Sequence, residues 1–337
     1  MRKNTRPNGE TSEEEPMAAA MTIQSARDLR LPEDVARVVD FLRPKPSPFP
    51  LSRIGGSADG AYLVPECLDG VVACFSPGTA NRKDFEDELL ERYGIRSHMM
   101  DFSSDVEKFM TPLIEGQQTF EKLWLDPKRE ENSMSLEDWV HAKEPSEGAD
   151  LILQMDIEGA EYANLLSTSR ETLNRFRVMV VELHGLHGLL VSEGLADVMV
   201  PLVEHLDSLF VVIHAHPNNC CPAPRFPGSR IRIPQVLEIT MVRRTEFEEC
   251  DESERFAPVI PHPQDLAKNV ADNPHVELGF GWSDTPRTAA LISQEFRAWR
   301  FDIHRIGLLK SSVDFFYRRL PGKVQTLLSR LRIGSVS

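Results

Sequence analysis

No stretch of the 337-residue chain approaches the roughly 18–20 consecutive apolar residues that a membrane-spanning helix needs. Cysteine is sparse: five residues without regular spacing exclude a disulfide scaffold and fit a reducing compartment. Positive charge is in deficit, with 38 Lys and Arg against 52 Asp and Glu and a formal charge of −14. Bulk nucleic-acid binding, which neutralises phosphates with cations, is therefore disfavoured. An apolar segment near the N-terminus is also missing, so residues 1–20 do not read as a secretory signal. What is present suffices for a core. At 41% hydrophobic residues, disorder of the whole chain is excluded. The expectation is a soluble, cytoplasmic protein with no transmembrane segment, built as one large α/β domain with extensions or as two domains.

Composition shifts divide the chain. Residues 1–20 are polar, rich in Glu, Pro and Asn, and read as disordered. Residues 21–50 read as a helical lead-in, 51–250 as the main domain, 251–285 as an irregular connection and 286–337 as a basic tail. The tail holds ten Lys or Arg against three acids, so the residues before it carry −21. Its cations are interleaved with Trp299, Phe301, Phe315, Phe316, Tyr317 and Leu327. That is the pattern of one or two amphipathic helices broken near Pro321-Gly322. Such a tail can pack on its own core, mediate a homodimer, or lie on a membrane surface.

Between the two ends, strand and helix patterns alternate. Val71–Phe75, Ile95–Met100, Leu151–Met155, Val178–Leu183 and Leu209–His214 read as short buried strands. Asp84–Tyr93, Leu136–His141, the stretch from Gly159 to about Ser167, and Leu189–His205 read as helices. Val106–Leu125 fits a helix followed by a strand, without a clear boundary. Gln235–Arg243 alternates as a late strand after Pro-rich chain, with no helix before it, so an antiparallel hairpin with its predecessor is expected. Short strands separated by helices predict a mostly parallel sheet with one antiparallel strand, covered on both faces.

In an open parallel sheet, ligands lie beyond the carboxyl ends of the strands. Polar residues gather there. Ser76-Pro77-Gly78-Thr79-Ala80-Asn81 follows the first strand, Asp101 the second, and Asp156-Ile157-Glu158-Gly159-Ala160-Glu161 the Leu151 strand. Glu182 and His184 end the next strand, and His214, His216, Asn218 and Asn219 follow in the last. The first loop has one glycine, Gly78, in place of the G-x-G-x-x-G of a dinucleotide fold, and the following helix opens with Asp84, Glu86, Asp87 and Glu88. Acids there suit the helix dipole but repel phosphate. A cation without phosphate fits better, and S-adenosylmethionine, with a sulfonium, an ammonium and a ribose diol, is such a ligand. Ser76, Gly78, Thr79, Asp101 and Asp156 are its candidate contacts, with Asp101 accepting from the ribose. The alternative for Asp101 is a loop-capping acid.

Removing a proton from a bound acceptor needs a base at this edge, and imidazole titrates near neutrality. Asp156, His184, His214 and His216 are the candidate catalytic residues. His184 ranks first as base and Asp156 is its orienter or the proton acceptor, with His184 and His214 expected on adjacent strands. The competing reading of Asp156 is a cap for the next helix, and that of each histidine a satisfied structural residue. Glu182, Asn218 and Asn219 are candidate acceptor contacts, although asparagines there also suit a turn. Glu161 is expected to be structural, in the first turn of a helix. A divalent metal on Asp156, Glu182, His184 and His214 is the rival reading. No H-x-x-x-H or C-x-x-C spacing supports it, and no metal ligand is assigned. His98, His187 and His205 lack a companion acid and read as surface residues.

The segment Asp150–Leu166, DLILQMDIEGAEYANLL, resembles the D-x-L-K-x-D-[IV]-E-G-A-E signature of FkbM-type methyltransferases. Arg53–Glu66, Cys74–Leu89, Val180–Leu186, His214–Asn219 and Val236–Arg244 are similar to other pieces of that family in the same order, over about residues 50–245. The resemblance implies a class I methyltransferase fold, a Rossmann-like α/β sandwich whose seven-stranded sheet has one antiparallel strand, here with a helical C-terminal extension. It also implies an S-adenosylmethionine-dependent O-methyltransferase, acting on a hydroxyl of a sugar, glycan or polyketide-like small molecule. The chain departs from the pattern at Gln154, where the signature has Lys, and at S-P-G-T-A, which replaces a two-glycine loop. The alternative is a non-catalytic protein of the same fold that docks on a partner or membrane surface through its basic tail.

Overall fold

Successive residues of the central strands feed two different cores, as the two-residue period of a strand requires. In a computed structural model, which describes residues 32–282 except 58, 191–192, 222, 224–231, 266–268 and 279–281, the strand β8 (Asp150–Met155) turns Leu151, Leu153 and Met155 to one face and Ile152 to the other. The segments 1–20 and 286–337 lie outside the described residues.

The elements run α1 (Pro32–Leu42), the hairpin β1 (Leu51–Ile54) and β2 (Tyr62–Pro65), β3 (Val71–Pro77), α2 (Asp84–Tyr93), β4 (Arg96–Met100) and β5 (Gln118–Glu121). A short pair β6 (Trp124–Leu125) and β7 (Ser133–Met134) precedes α3 (Leu136–Lys143) and β8. Then come α4 (Glu161–Ser167), α5 (Arg170–Leu173), β9 (Phe176–His184), α6 (Glu193–Asp207), β10 (Phe210–Pro217), β11 (Val236–Arg243) and α7 (Arg244–Glu248). The expected helix over 84–93 is there, closed by Gly94 at φ 70°. The ambiguous stretch resolves into a 3-10 turn at Val106–Lys108, then β5 and β6.

Seven strands form one sheet in the order β10-β11-β9-β8-β3-β4-β5. All are parallel except β11, which is antiparallel to both neighbours. The late strand thus forms the expected hairpin with β10, but it inserts between β10 and β9. His184 and His214 are therefore not on adjacent strands, because β11 separates them. The architecture is α/β and mostly parallel, compatible with a Rossmann-like fold, and the strand order reverses between β3 and β8, the place where such sheets open a crevice.

The larger core lies on the face covered by α1, α3, α4 and α6, with Trp139 edge-on to Phe75 at 5.0 Å. On the other face α2 and the β1–β2 hairpin cover Cys74, Ile152, Val178 and Val180. Continuing along that face toward the carboxyl ends, the apolar rows give way to Ser76, Gln154, Glu182 and His184. No helix among the described residues is long and apolar enough to cross a membrane.

Candidate functional site at the carboxyl edge of the sheet

Two loops meet where the strand order reverses. Gly78 follows β3 at φ +87°, and a Cβ there would lie 1.6 Å from the carbonyl oxygen of Asp156, so no other residue fits without moving the loop after β8. The contact is sealed by Asp156 N–H donating to the Pro77 carbonyl (3.2 Å). The β8 loop itself turns through Glu158 (φ 56°) and Gly159 (φ 103°), as the glycine in the sequence requires.

Glu161 opens α4 and is 0% exposed. Its Oε1 accepts from the backbone N–H groups of Ile157 (3.0 Å) and Gly159 (3.1 Å), the structural duty expected of it, and also meets His184 Nδ1 at 3.1 Å. Nδ1 also faces the Glu182 carbonyl at 3.1 Å. Both neighbours are acceptors, so this nitrogen carries a proton. Tyr162 donates to the carbonyl of His184 (2.7 Å) and pins the end of β9 to α4. The other ring nitrogen, Nε2, faces Asp156 Oδ1 at 3.7 Å, Glu158 Oε2 at 3.6 Å and Glu182 Oε1 at 3.9 Å. Asp156 Oδ1 and Glu161 Oε2 are buried without a hydrogen-bond partner.

Charge controls this cluster. Burial would lower the His184 pKa, but Glu161, Glu182 and Asp156 push it well above 6.5. Burial and the neighbouring carboxylates push Asp156 up to about 7 and raise Glu182 strongly, while His184 pulls both down. The cluster thus favours the charged form of His184 and the neutral forms of Asp156 and Glu182.

The residues expected to bind an acceptor lie deeper. Glu182 is buried against Tyr62 Oη (3.4 Å) and Asn218 Nδ2 (3.0 Å), and Asn218 also reaches Glu238 (3.3 Å). Asn219 clamps the following segment through Val270 N–H (2.8 Å) and the Val270 carbonyl (2.9 Å). Both asparagines are buried and tie chain to chain, so neither offers a free amide to a ligand. His214 and His216 are held in the same way. Asp265 accepts from His214 Nε2 (2.9 Å) and faces His216 Nδ1 (3.6 Å), while His216 Nε2 meets Asn269 (3.0 Å). The strand register aligns Glu182, Glu238 and His216 in one row across β9, β11 and β10. His214 and His216 therefore fasten the segment 262–273 to the edge of the sheet and do not join His184. A cavity of about 380 Å³ lies on the outer side of β10, lined by Phe49, Leu51, Ile213, His214, Phe256 and His262 among others.

The expected cofactor contacts divide similarly. Ser76 is wholly buried, its hydroxyl taken up by Glu86 and Gln154, so its side chain presents nothing to a ligand. Thr79 is buried beside Ser104 (3.4 Å). Asp101 accepts from Ser103 N–H (2.8 Å), Ser103 Oγ (2.7 Å), Ser104 Oγ (2.6 Å) and Ala80 N–H (3.0 Å). Burial would raise its pKa, yet these donors hold it below the usual carboxylate range. In this structure Asp101 caps the loop, the alternative reading of the sequence.

Other residues escape sequence reasoning. Glu86 is buried and pushed up to about 7 by burial, and Gln154, Tyr62, Glu238, Asp265 and Asn269 complete a polar layer beneath the hairpin. His98 is not a surface residue but is buried between Thr119 (2.9 Å) and Glu144 (3.1 Å), and burial lowers its pKa. His187 is also buried, which takes its pKa down to about 4. His205 is half-buried and meets the Thr168 carbonyl (2.9 Å). None of the five cysteines is in a disulfide. The chain matches no protein-family model, and no curated protein shares significant sequence similarity with it.

Proposed function

We propose that the protein is an S-adenosylmethionine-dependent O-methyltransferase of the class I type, acting on a hydroxyl of a small molecule or glycan at the β8–β9 edge. One observation carries the reading: Asp156, Glu158 and Glu182 crowd around a single imidazole next to the strand reversal, where the adjoining loop has one glycine and its two cations, Arg82 and Lys83, are paired with Asp84 and Asp87. A sulfonium nucleoside matches that field, whereas a pyrophosphate opposes it. Bound there, S-adenosylmethionine supplies a methyl carbon activated by positive sulfur.

The chain's own residues then divide the work. The 78–81 loop would hold the nucleoside. A ribose reaches Asp101 by replacing the hydroxyls of Ser103 and Ser104, an exchange of like donors. His184, kept charged by Glu161, orients the carboxylates and does not serve as base. Asp156, at about 7, takes the hydroxyl proton, since a base poised near the working pH transfers protons most effectively. Positioning of the acceptor against the donor contributes most of the rate, and the base adds about 10²–10⁴-fold.

The test is transfer of a tritiated methyl group from S-adenosylmethionine to a panel of sugars, glycans and polyketide-like alcohols. The native chain should label at least one acceptor. Asp156→Asn should lower that rate by about 10²–10⁴-fold while calorimetric binding of S-adenosylhomocysteine survives. Undiminished transfer by Asp156→Asn refutes the role, and no transfer to any acceptor counts against the activity.

A further inference from the structure

We propose that the Asp156–Glu161–His184 cluster is a binding site for a hard divalent cation of the Mn²⁺ or Mg²⁺ type. One donor atom from each of these residues lies within 4.8 Å of the other two. Two details separate the cluster from an ordinary group of acids. His184 places its Nδ1 proton on Glu161 and turns Nε2 toward carboxylates with no hydrogen bond of its own, the arrangement that orients an imidazole for an ion. In addition, Glu161, 0% exposed, leaves Oε2 unpartnered, and Asp156 Oδ1 is likewise buried and unpartnered. Buried carboxylate oxygens without a donor are rare and call for an explanation, an unseen ion among them.

The spacing agrees. Donors about 2.1 Å from one ion stand roughly 3.0–3.6 Å apart at angles of 90–120°. Around Nε2 the oxygens of Glu158, Asp156 and Glu182 stand 3.6 Å, 3.7 Å and 3.9 Å away, too long for hydrogen bonds and within a few tenths of an ångström of that spacing, while Glu161 closes the cluster within 4.8 Å. Oxygen donors predominate, with one imidazole and no thiolate, which selects hard ions over soft ones. Glu158, with its side chain 77% exposed, and Glu182 flank the position and leave it open toward solvent. The site stands on this geometry alone. Ion and proton are alternative occupants of the cluster, so the ion-loaded state is not the one in which Asp156 takes a proton.

The full-length chain, stripped with a chelator, is titrated with MnCl₂ and the free ion followed by electron paramagnetic resonance. One Mn²⁺ should bind per chain. Asp156→Asn, which removes an oxygen that has no partner and so leaves the fold intact, should weaken binding at least tenfold. Glu161→Gln should weaken it by about 10–100-fold. No saturable uptake overturns the site, as does uptake that neither variant changes, which would put the ion on surface acids. S-adenosylhomocysteine binding is measured on the stripped protein in parallel. Nucleoside binding without Mn²⁺ uptake removes the ion site alone, and Mn²⁺ uptake without nucleoside binding removes the methyl-transfer reading alone.

Discussion

Replacing Gly78 by alanine should unseat the loop that carries Asp156. The added Cβ meets the Asp156 carbonyl oxygen at 1.6 Å and Ile157 Cγ2 at 3.1 Å. A carbon and a carbonyl oxygen rest at about 3.3–3.6 Å, so the loop must retreat by roughly 1.7–2 Å. Three costs accompany that movement. An alanine in the left-handed region loses ~1–2 kcal/mol, forced repacking adds ~1–3 kcal/mol, and the bond from Asp156 N–H to Pro77 contributes ~1 kcal/mol. Together they come to about 4 kcal/mol, a fall of roughly 8–16 °C in Tm for a domain of this size. Gly56→Ala is the control, since Gly56 has φ +83° but no atom within 4 Å of where a Cβ would stand, and so carries the strain without the collision. Urea and thermal unfolding of the two variants isolate the collision. At temperatures where Gly78→Ala remains folded, it should also fail to bind S-adenosylhomocysteine. A loss below about 3 °C, or equal losses for both variants, would refute the claim that the two loops fix each other.

Two further outcomes follow from buried ionisable groups. Asp265→Asn removes the charge that faces His214 and His216, and breaking such a buried pair costs about 3 kcal/mol near neutrality. Asp265, Glu238 and Asn269 raise His216 to about 9 against its burial. That stabilisation is complete below pH 6.5 and disappears as pH rises through 9, so the advantage of wild type over Asp265→Asn in urea unfolding should shrink across that interval. Glu86 slopes the same way over a lower interval: its pKa is about 7 in the fold against an ordinary 4.5, so the native chain loses stability as pH climbs from 4.5 to 7. Glu86→Gln should flatten that slope in denaturation curves and be no less stable than wild type at pH 8.

The regular parts of the fold are legible because local pattern dictates them. Asp84–Tyr93 has helical spacing with acids first and a glycine stop, and Leu151–Met155 is an apolar run of strand length. The hairpin Leu51–Pro65 is not legible as strands, since each arm is only four residues long and glycines crowd the connection. The placement of β11 is beyond local pattern. A hairpin partner for β10 can extend the sheet or insert beside β9, and only packing decides. That insertion moves His214 and His216 away from His184. Glu86 shows the same limit: as an acid in the first turn it suits the helix dipole, yet it sits between Phe85 and Leu89 on the buried side of α2. Asp156 and His184 do come together, because strand-end positions on neighbouring parallel strands must meet.

The central claim is that the carboxylate edge beside the β3–β8 reversal holds a positively charged sulfonium nucleoside. Equilibrium dialysis of the full-length chain against radiolabelled S-adenosylmethionine and, separately, against a nicotinamide dinucleotide tests it most directly. Retention of the sulfonium compound near one per chain, reduced by Gly78→Ala, and free passage of the dinucleotide are predicted. Retention of the dinucleotide with no uptake of S-adenosylmethionine would contradict the account.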